Sequence, residues 1–400
     1  MLYFLPSKTL ISDIPSRHNH YKHKVKEYMN ILILNPILFT AEHNVIPKVK
    51  SIKDTMIYNM CLGFKKLGHK ITLIAAQEYR PTDIENYDFE VIFLSSKYTK
   101  ICPPSVLPYS PNLKRYLKQN HKKFDLIISS EVFSLNSLFA AQVCPKKTII
   151  WQELTEHQKK FHKIPSKIWH NIIARLFITK VLTVVPRSQK AFDFISQYIP
   201  TVSKTIVDHG INVEKFKYST DKKRQIISSS QLIHRKNIDG IIQKFYNLHH
   251  LKGYEDIKLI IAGRGEEELK LKELVKVLNL QDYVNFVGFL SQIKLNDYIS
   301  HSYAFLINTR KDLNMVSIPE SIVSGTPILT NNQPASADYI AKNDLGIVKD
   351  NWNENDIVKI IDDNTYYTKN CIQYREKLTN QHSAQLFIEI FNSYQNNKVK

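Results

Sequence analysis

Short runs of apolar residues alternate along the chain with segments whose apolar positions recur with a period of about 3.6 residues. The run at residues 30–35 has the length of a buried strand. Residues 52–67 carry apolar side chains at helical spacing and end at Gly68, a residue type that commonly closes helices. The pattern predicts further strands at 71–75, 125–129, 148–151 and 181–185, and a helix at 165–178.

The alternation restarts near residue 225, after a polar stretch at 201–224. Short buried strands separated by helices indicate parallel, doubly wound sheets, which bind ligands at the carboxyl ends of their strands. We therefore predict an α/β fold of two doubly wound, Rossmann-like domains that face each other across a cleft. The predicted parts are a basic leader at 1–28, Rossmann-like domains at 29–205 and 206–380, and a C-terminal helix at 381–400.

Composition excludes several classes of protein. Of the 400 residues, 43% are hydrophobic and 23% charged, which excludes a disordered chain, and 10 Gly exclude a collagen-like one. The four cysteines are scattered, so we expect no disulfide framework or structural zinc site, and a reducing cytoplasm. No apolar run reaches the ~18–20 residues of a membrane-spanning helix. Residues 1–28 have no apolar segment of the kind found in signal peptides.

The chain carries 55 Lys+Arg and 37 Asp+Glu, a net charge of +18. Nucleic acid, an anionic membrane surface and phosphorylated small molecules are the partner classes that such a charge suits. No helix-turn-helix or RNA-binding aromatic motif accompanies the lysine pairs, so we do not expect nucleic acid. A lysine-rich surface without a partner is an equally weighted alternative.

The segment 308–330 holds the most informative chemistry. A predicted strand ends there at Asn308, a polar loop carries Asp312, and a short helix that starts near Ser317 contains Glu320. Two carboxylates at a cleft edge suit bidentate hydrogen bonding to sugar hydroxyls. An alternative of equal weight is that Ser317-x-x-Glu320 is a capping box, in which Glu320 only initiates the helix.

This segment resembles a signature of the retaining glycosyltransferases of family 4, which have the GT-B fold. That signature is Glu, seven residues, Glu, and a helix that ends in Gly-x-Pro; this chain has Asp312, seven residues, Glu320 and then Gly325-Thr326-Pro327. Four other segments resemble family motifs in the family's order across residues 29–395. They are Leu67-Gly68-His69-Lys70-Ile71-Thr72, His209-Gly210-Ile211-Asn212 with Phe216, Ile261-Ala262-Gly263-x-Gly265 and Val284-x-Phe286-x-Gly288.

The resemblance implies a role for each matching residue. Glu320 would bind the ribose hydroxyls of a nucleotide sugar, Asp312 the hydroxyls of the transferred hexose, and Lys236 the diphosphate. Cations and helix N-terminal amides are suited to a leaving diphosphate because its charge grows in the transition state. The full set of expected donor contacts is Gln231, Arg235, Lys236, Gly263, Arg264, Asp312, Asn314, Met315, Val316 and Glu320.

The chain also departs from the family pattern. Gln231 stands where the family usually has Arg, and Arg235 or Arg264 would compensate. Residues 36–50 contain no Gly, where the family has a Gly-Gly loop. The catalytic-site His that the family has after strand 148–151 is missing. The nearest residue is Glu153, and His157 is a weaker candidate. A carboxylate at this place would stabilise an oxocarbenium-like sugar. Each charged candidate has a surface residue as its alternative.

We therefore expect a metal-independent retaining hexosyltransferase with Glu153, Lys236 and Asp312 as catalytic residues. No Asp-x-Asp motif occurs, so we expect no metal, and Gly263-x-Gly265 lacks the third glycine of a dinucleotide fingerprint, so we expect no cofactor. The expected partners are a nucleotide sugar, bound by the second domain, and a glycan acceptor of surface polysaccharide synthesis, bound by the first. The C-terminal helix would cross back to the first domain.

Two features of this function stay open. The acceptor is either lipid-linked or soluble. The stretches 97–123 and 159–180 are basic and aromatic, which suits docking on the inner, cytoplasmic face of an anionic membrane. The main alternative to an enzyme is a catalytically silent GT-B subunit that binds a glycan or a partner transferase. A nucleotide-sugar epimerase is a less favoured third interpretation.

Overall fold

The computed structural model describes residues 28–39, 45–311 and 315–396. The predicted leader apart from Tyr28 lies outside these residues, as do Asp312 and Asn314. The first sheet consists of six parallel strands in the order β3-β2-β1-β4-β5-β6. They are β1 (Asn30–Leu34), β2 (Lys70–Ala76), β3 (Glu90–Leu94), β4 (Leu126–Ser130), β5 (Thr148–Gln152) and β6 (Thr183–Pro186).

Helices connect the strands of the first sheet. The first of them begins after Thr55, whose hydroxyl oxygen accepts a hydrogen bond from the Tyr58 N–H, and ends before Gly68, whose φ is +87°. The helix predicted at 165–178 is not uniform, because a π-helical turn, Trp169–Ala174, interrupts it. The helices are α1 (Met56–Lys66), α2 (Pro111–Asn120), α3 (Leu135–Val143), α4 (Ile164–Ile168), α5 (Arg175–Phe177) and α6 (Gln189–Ile195).

The second sheet repeats this architecture with six parallel strands in the order β12-β11-β10-β7-β8-β9. Its strands are β7 (Gln225–Ser229), β8 (Lys258–Ala262), β9 (Val284–Gly288), β10 (Phe305–Leu306), β11 (Ile328–Thr330) and β12 (Gly346–Val348). Its helices are α7 (Ile238–His249), α8 (Glu268–Val277), α9 (Gln292–Ser300), α10 (Ser317–Val323), α11 (Ala337–Lys342), α12 (Glu354–Asp362) and α13 (Asn364–Tyr374), followed by α14 (Asn380–Asn396).

The predicted fold class, two doubly wound Rossmann-like domains, is confirmed. In both sheets the strand order reverses at one point, between β1 and β4 in the first and between β7 and β10 in the second. A crevice opens at such a point at the carboxyl ends of the strands. The sequence pattern did not predict the edge strands β3 and β12, whose side chains are mostly half-buried.

Helix α14 returns from the second half of the chain and packs its apolar side against the core of the first sheet, where Phe387 contacts Phe64 and Trp151. The crossing begins at Asn380, which is fully buried. Its N–H donates to the Ile211 carbonyl (3.0 Å), and its side-chain amide donates to the Asn59 carbonyl in α1 (2.7 Å). Asn380 thus bonds to both halves of the chain.

Two glycines leave room for this crossing. A Cβ atom at Gly63 would lie 2.2 Å from the Asn380 carbonyl oxygen, and one at Gly210 would lie 2.2 Å from the Asn380 Cα. Such distances are far below van der Waals contact, and on both sides the neighbour is backbone, which cannot move without displacing α14. The start of α14 therefore requires glycine at both positions.

We expect Gly63→Ala to destabilise the protein although it lies inside helix α1. Alanine is favoured over glycine in a helix interior by about 1 kcal/mol, but the clash with Asn380 should outweigh this gain and give a net loss of about 1–3 kcal/mol. Urea unfolding measures the difference. Lys65→Ala, at an exposed site of the same helix, is the control and should change stability by less than about 0.5 kcal/mol. Equal stability of the two variants would contradict a tight crossing.

Candidate active site

Three cavities follow one another between the two sheets. The first-sheet cavity (about 500 Å³) and the second-sheet cavity (about 560 Å³) lie at the carboxyl ends of the strands of their sheets. A smaller bridging cavity (about 140 Å³) is lined by residues from both halves of the chain. Met56 lines the first-sheet and the bridging cavity, and Val316 lines the bridging and the second-sheet cavity, so the three adjoin.

The second-sheet cavity gathers most of the predicted donor contacts. Arg235, Lys236 and Arg264 bring three positive charges to it, and the described residues that line it include no Asp or Glu. Such a site favours an anionic ligand, because charges of one sign that line a crevice attract the opposite one. The predicted residues found together here are Gln231, Arg235, Lys236, Gly263, Arg264, Met315 and Val316.

Hydrogen bonds to the loop after β10 hold the Arg235–Lys236 turn in place. The Arg235 carbonyl accepts from the Arg310 N–H (2.9 Å) and the Thr309 hydroxyl (3.1 Å), and the Arg235 guanidinium donates to the Lys311 carbonyl (3.2 Å). Helix α7 begins two residues after Lys236. The turn is therefore bonded to the same loop that continues to Asp312, which lies beyond the described residues.

Gly263 and Gly265 allow two loops to approach each other closely. Gly263 has φ +134°, and a Cβ there would lie 1.8 Å from the Ser230 carbonyl oxygen; a Cβ at Gly265 would lie 2.2 Å from that of Leu232. The Leu232 N–H donates to the Arg264 carbonyl at 2.9 Å. These glycines bring the loops after β7 and β8 together, which places Gln231 and Arg264 in one cavity.

Glu320 lies apart from the other predicted donor contacts, in the bridging cavity. Asp54 and Asn59 of the first half line this cavity with it, as does Gln292 of the second. Only 7% of Glu320 is exposed, and burial raises the pKa of its carboxyl to about 8, against a smaller lowering by a hydrogen bond with Gln292. The carboxyl is therefore mostly protonated at neutral pH in this structure.

The capping-box alternative for Glu320 is wrong. Helix α10 begins at Ser317, its N-cap is Val316, and no side chain caps it. Ser317 is therefore the first residue of the helix and not its cap. The backbone N–H of Glu320 donates to the Val316 carbonyl, as an ordinary helical bond.

The first-sheet cavity contains three charged residues that directly follow neighbouring strands: Glu131 after β4, Glu153 after β5 and Arg187 after β6. The Arg187 guanidinium donates to the Glu153 carboxylate at 2.5 Å. The N–H groups of Glu153 and Leu154 donate to the Glu131 carboxylate at 2.8 and 3.3 Å. Burial, followed by the charge of Glu153, raises the pKa of Glu131 to about 8.

Arg187 connects this cavity to the segment between the sheets. Its side chain is 4% exposed and lies over the Trp151 ring, 4.6 Å from the centroid. It also contacts the ring of His209 and lies 3.8 Å from the Asp208 carboxylate. Burial alone would raise the pKa of Asp208, but His209 and Arg187 hold it below its ordinary value. Several polar partners thus compensate this buried cation.

Sequence reasoning missed Glu131 and Arg187, although a signal was present. Both are charged residues that come immediately after an apolar strand, which is where a parallel sheet places its ligand-binding groups. Glu153 was identified as the residue nearest to the place where the resemblance implies a catalytic His, and it lines the first-sheet cavity. The weaker candidate His157 does not line it: its ring bonds with the hydroxyls of Ser166 and Tyr198, at 3.2 and 3.0 Å.

Comparison with known proteins agrees with this geometry. The family model described as "Glycosyl transferases group 1" matches residues 211–379, which include the second-sheet cavity. An alpha-monoglucosyldiacylglycerol synthase of Streptococcus pneumoniae is 24% identical over 324 residues, 74% of this chain and 71% of that protein. The chain is a glycosyltransferase of the GT-B fold.

Solved structures agree on the fold of this glycosyltransferase. Sucrose-phosphate synthase from Thermosynechococcus elongatus superimposes with a TM-score of 0.66 at 14% identity, over 91% of this chain and 100% of that one. The Anabaena protein HepE, solved with UDP and glucose, gives 0.61 at 12% identity, with 91% and 100% covered. Membership of family 4 stays a prediction from the motifs. Within the described residues, no helix is both long and apolar enough to span a bilayer.

The pKa of Glu320 predicts a pH dependence of stability. Since its pKa in the folded protein (about 8) lies above its ordinary value of 4.5, the carboxyl stabilises the fold fully below about pH 4.5. This contribution is lost as the pH rises through about 8. In Glu320→Gln the side chain stays neutral at every pH. Between pH 5 and pH 9 the free energy of unfolding of the wild-type glycosyltransferase should therefore fall by roughly 2–5 kcal/mol relative to that of this variant.

Urea unfolding at several pH values tests this expectation. Glu273→Gln, which replaces an exposed glutamate of helix α8, is the matched control and should follow the wild type at every pH. Parallel stability curves for the wild type and Glu320→Gln would contradict a buried, protonated carboxyl.

Proposed function

We propose that the glycosyltransferase moves a hexose from a nucleotide-sugar donor to a glycan acceptor, with retention at the anomeric carbon, in the synthesis of a surface polysaccharide or glycolipid. The observation that carries the proposal is the second-sheet cavity, where Arg235, Lys236 and Arg264 bring three positive charges to the carboxyl ends of the strands. A nucleoside diphosphate is a ligand of the matching charge.

The three cations have a role in the reaction itself. When the bond between the anomeric carbon and the diphosphate oxygen breaks, negative charge accumulates on the leaving diphosphate. Positive groups that are already in position stabilise this charge more in the transition state than in the bound donor. We infer that Lys236 is the main group, that Arg264 and Arg235 compensate for Gln231, and that no divalent metal is required.

Glu320 and its neighbours would bind the nucleoside. The bridging cavity adjoins the second-sheet cavity at Val316, so a donor whose diphosphate lies near Lys236 could extend to Glu320. The Gln292 side-chain oxygen beside it is buried and has no hydrogen-bond partner. A pair of ribose hydroxyls would supply donors to both side chains. Asp312 would bind the hexose, as its position in the motif implies.

The first-sheet cavity would bind the acceptor. Glu153 lines it with its carboxylate held by Arg187, and we infer that this carboxylate lies near the place where the acceptor hydroxyl and the anomeric carbon meet. Such a charge would stabilise an oxocarbenium-like sugar. The similar protein from Streptococcus pneumoniae is named as an alpha-monoglucosyldiacylglycerol synthase. We therefore favour a lipid-linked acceptor, taken from an anionic membrane surface on its cytoplasmic side.

A screen of nucleotide sugars tests the proposal directly. UDP-, GDP- and ADP-linked hexoses are added singly, the melting temperature is recorded, and release of the nucleoside diphosphate is measured with and without EDTA. We expect one donor class to raise the melting temperature and to turn over equally in EDTA. No shift and no turnover with any donor would refute the donor assignment, and loss of turnover in EDTA would refute metal independence.

Lys236→Ala should lower kcat by about 100-fold, as removal of a preorganised group that stabilises developing charge commonly does. The melting temperature without donor should hardly change, because Lys236 is not part of the core. Steady-state kinetics with the donor found in the screen measure the effect. The matched control is Lys276→Ala, at an exposed position of helix α8 outside the cavity, which should keep wild-type kcat. An unchanged kcat in Lys236→Ala would contradict the assigned role.

A further inference from the structure

A row of exposed apolar side chains runs along the segment from α4 to α5. Ile164, Ile168, Ile172 and Leu176 follow one another at intervals of four residues, and each is 52–57% exposed. Isolated exposed apolar residues are ordinary, but a continuous set on one side of a helix marks a surface that is covered in use. We call these four residues the apolar row.

The π-helical turn keeps the row on one side of the segment. In a regular α-helix four residues turn more than one full revolution, so side chains at this spacing drift around the axis. A π turn has fewer degrees of rotation per residue, because its hydrogen bonds span five residues instead of four. The turn at Trp169–Ala174 lies between the first and last members of the row and reduces this drift.

The opposite side of the segment is attached to the first-sheet cavity. The Ser166 hydroxyl accepts from the N–H of Gln158, which lines that cavity. The Trp169 indole donates to the Val132 carbonyl at 2.8 Å and packs edge-on against Phe133, another lining residue. A surface that covered the apolar row would therefore lie beside the cavity assigned to the acceptor.

The charged side chains of the segment that carries the row are all positive. Residues 159–180 contain six Lys or Arg and no Asp or Glu. Lys167 and Arg175 lie within the row's own segment and are exposed, next to its apolar members. The nearest acid before it, Glu156, is already paired with Lys163 and Lys311 at 3.1 and 3.2 Å. Apolar side chains flanked by cations fit the interface of an anionic bilayer.

We propose that the apolar row and its flanking cations dock the glycosyltransferase onto an anionic phospholipid surface, and so present the first-sheet cavity to a lipid-linked acceptor. The link to the acceptor rests on the function proposed above, while the docking does not. Of the two basic stretches noted in the sequence, 159–180 is favoured over 97–123. In the latter, the exposed large apolar residues are Tyr98 and Ile101 alone, and no helical row forms.

Sedimentation with vesicles tests the docking on the full chain. The probes are vesicles of phosphatidylglycerol mixed equally with phosphatidylcholine, and vesicles of phosphatidylcholine alone. The wild type should bind the anionic vesicles at least about tenfold more strongly, and added salt should weaken this binding without abolishing it, because the apolar contact is not screened. Equal binding to both kinds of vesicle, or to neither, would overturn the proposal.

Variants then assign the surface. The double variant Ile168→Glu/Ile172→Glu should lower binding to anionic vesicles by about tenfold or more, since two charges would enter the apolar interface. The matched control is Leu269→Glu/Val277→Glu, which makes the same change of net charge at two exposed apolar positions of helix α8. It should bind like the wild type. Equal binding by both variants would show that the row is not the docking surface.

Two further measurements distinguish membrane docking from misfolding and from self-association. Both variants should keep the wild-type melting temperature and the wild-type release of nucleoside diphosphate from the donor, so a folding defect or a damaged donor site would be visible. Sedimentation velocity reports the mass without lipid. A wild-type dimer that Ile168→Glu/Ile172→Glu converts to a monomer would overturn the lipid assignment, because the row would then bind a second copy of this chain. Absence of donor turnover in the wild type, with vesicle binding intact, would refute the proposed function and leave the docking standing.

Discussion

The backbone of Asn380 is the point on which the arrangement of the cavities depends. Two parallel sheets can offer their carboxyl ends to the same space only if the chain holds them at a fixed angle. Asn380 passes between Gly63 of helix α1 and Gly210 of the connecting segment at distances that admit no side chain at either position. The next residues form α14, whose apolar side completes the core of the first sheet. The chain therefore crosses between the halves twice, and the two crossings pack closely against each other at Gly210 and Asn380.

The two sheets differ in the charged residues that line the cavities at their carboxyl ends. In the second-sheet cavity the cations Arg235, Lys236 and Arg264 meet with no acidic residue among the described lining, so the cavity suits an anionic ligand. In the first-sheet cavity Arg187 is buried, and protein groups already balance it: the carboxylates of Glu153 and Asp208 are close, and its face lies on the Trp151 ring. A cavity whose lining carries several positive charges attracts an anion. This supports the proposed assignment of the leaving diphosphate to the second-sheet cavity.

Most of the second-sheet cavity was predicted from the resemblance to the family, and two of its members, Gln231 and Arg264, also come two residues after the end of a strand. The carboxyl ends of neighbouring parallel strands meet at one edge, so residues such as Gln231 and Arg264 come together whatever their separation along the chain. The place of Glu320 in a separate cavity was not predictable. It depends on which distant parts of the chain line one cavity with it: Met56 and Asn59 of α1, and Gln292 of α9. The position of Arg187 directly after β6 was a usable signal, but its partners Glu153, Asp208 and His209 could not be predicted, because they come from other segments of the chain.

The departures from the family motifs lie in both halves of the chain. In the second half Gln231 stands in place of an Arg and Asp312 in place of a Glu, while the motifs at 261–265, 284–288 and 320–327 keep the family's order. The missing Gly-Gly loop and the missing histidine both fall on the first half, where Asn35, Glu131 and Glu153 line the cavity instead. An acceptor site must change its lining when the acceptor changes, while a site for a nucleoside diphosphate need not. On the function proposed above, the two departures in the first half are thus positions at which the acceptor is expected to differ from those of the family.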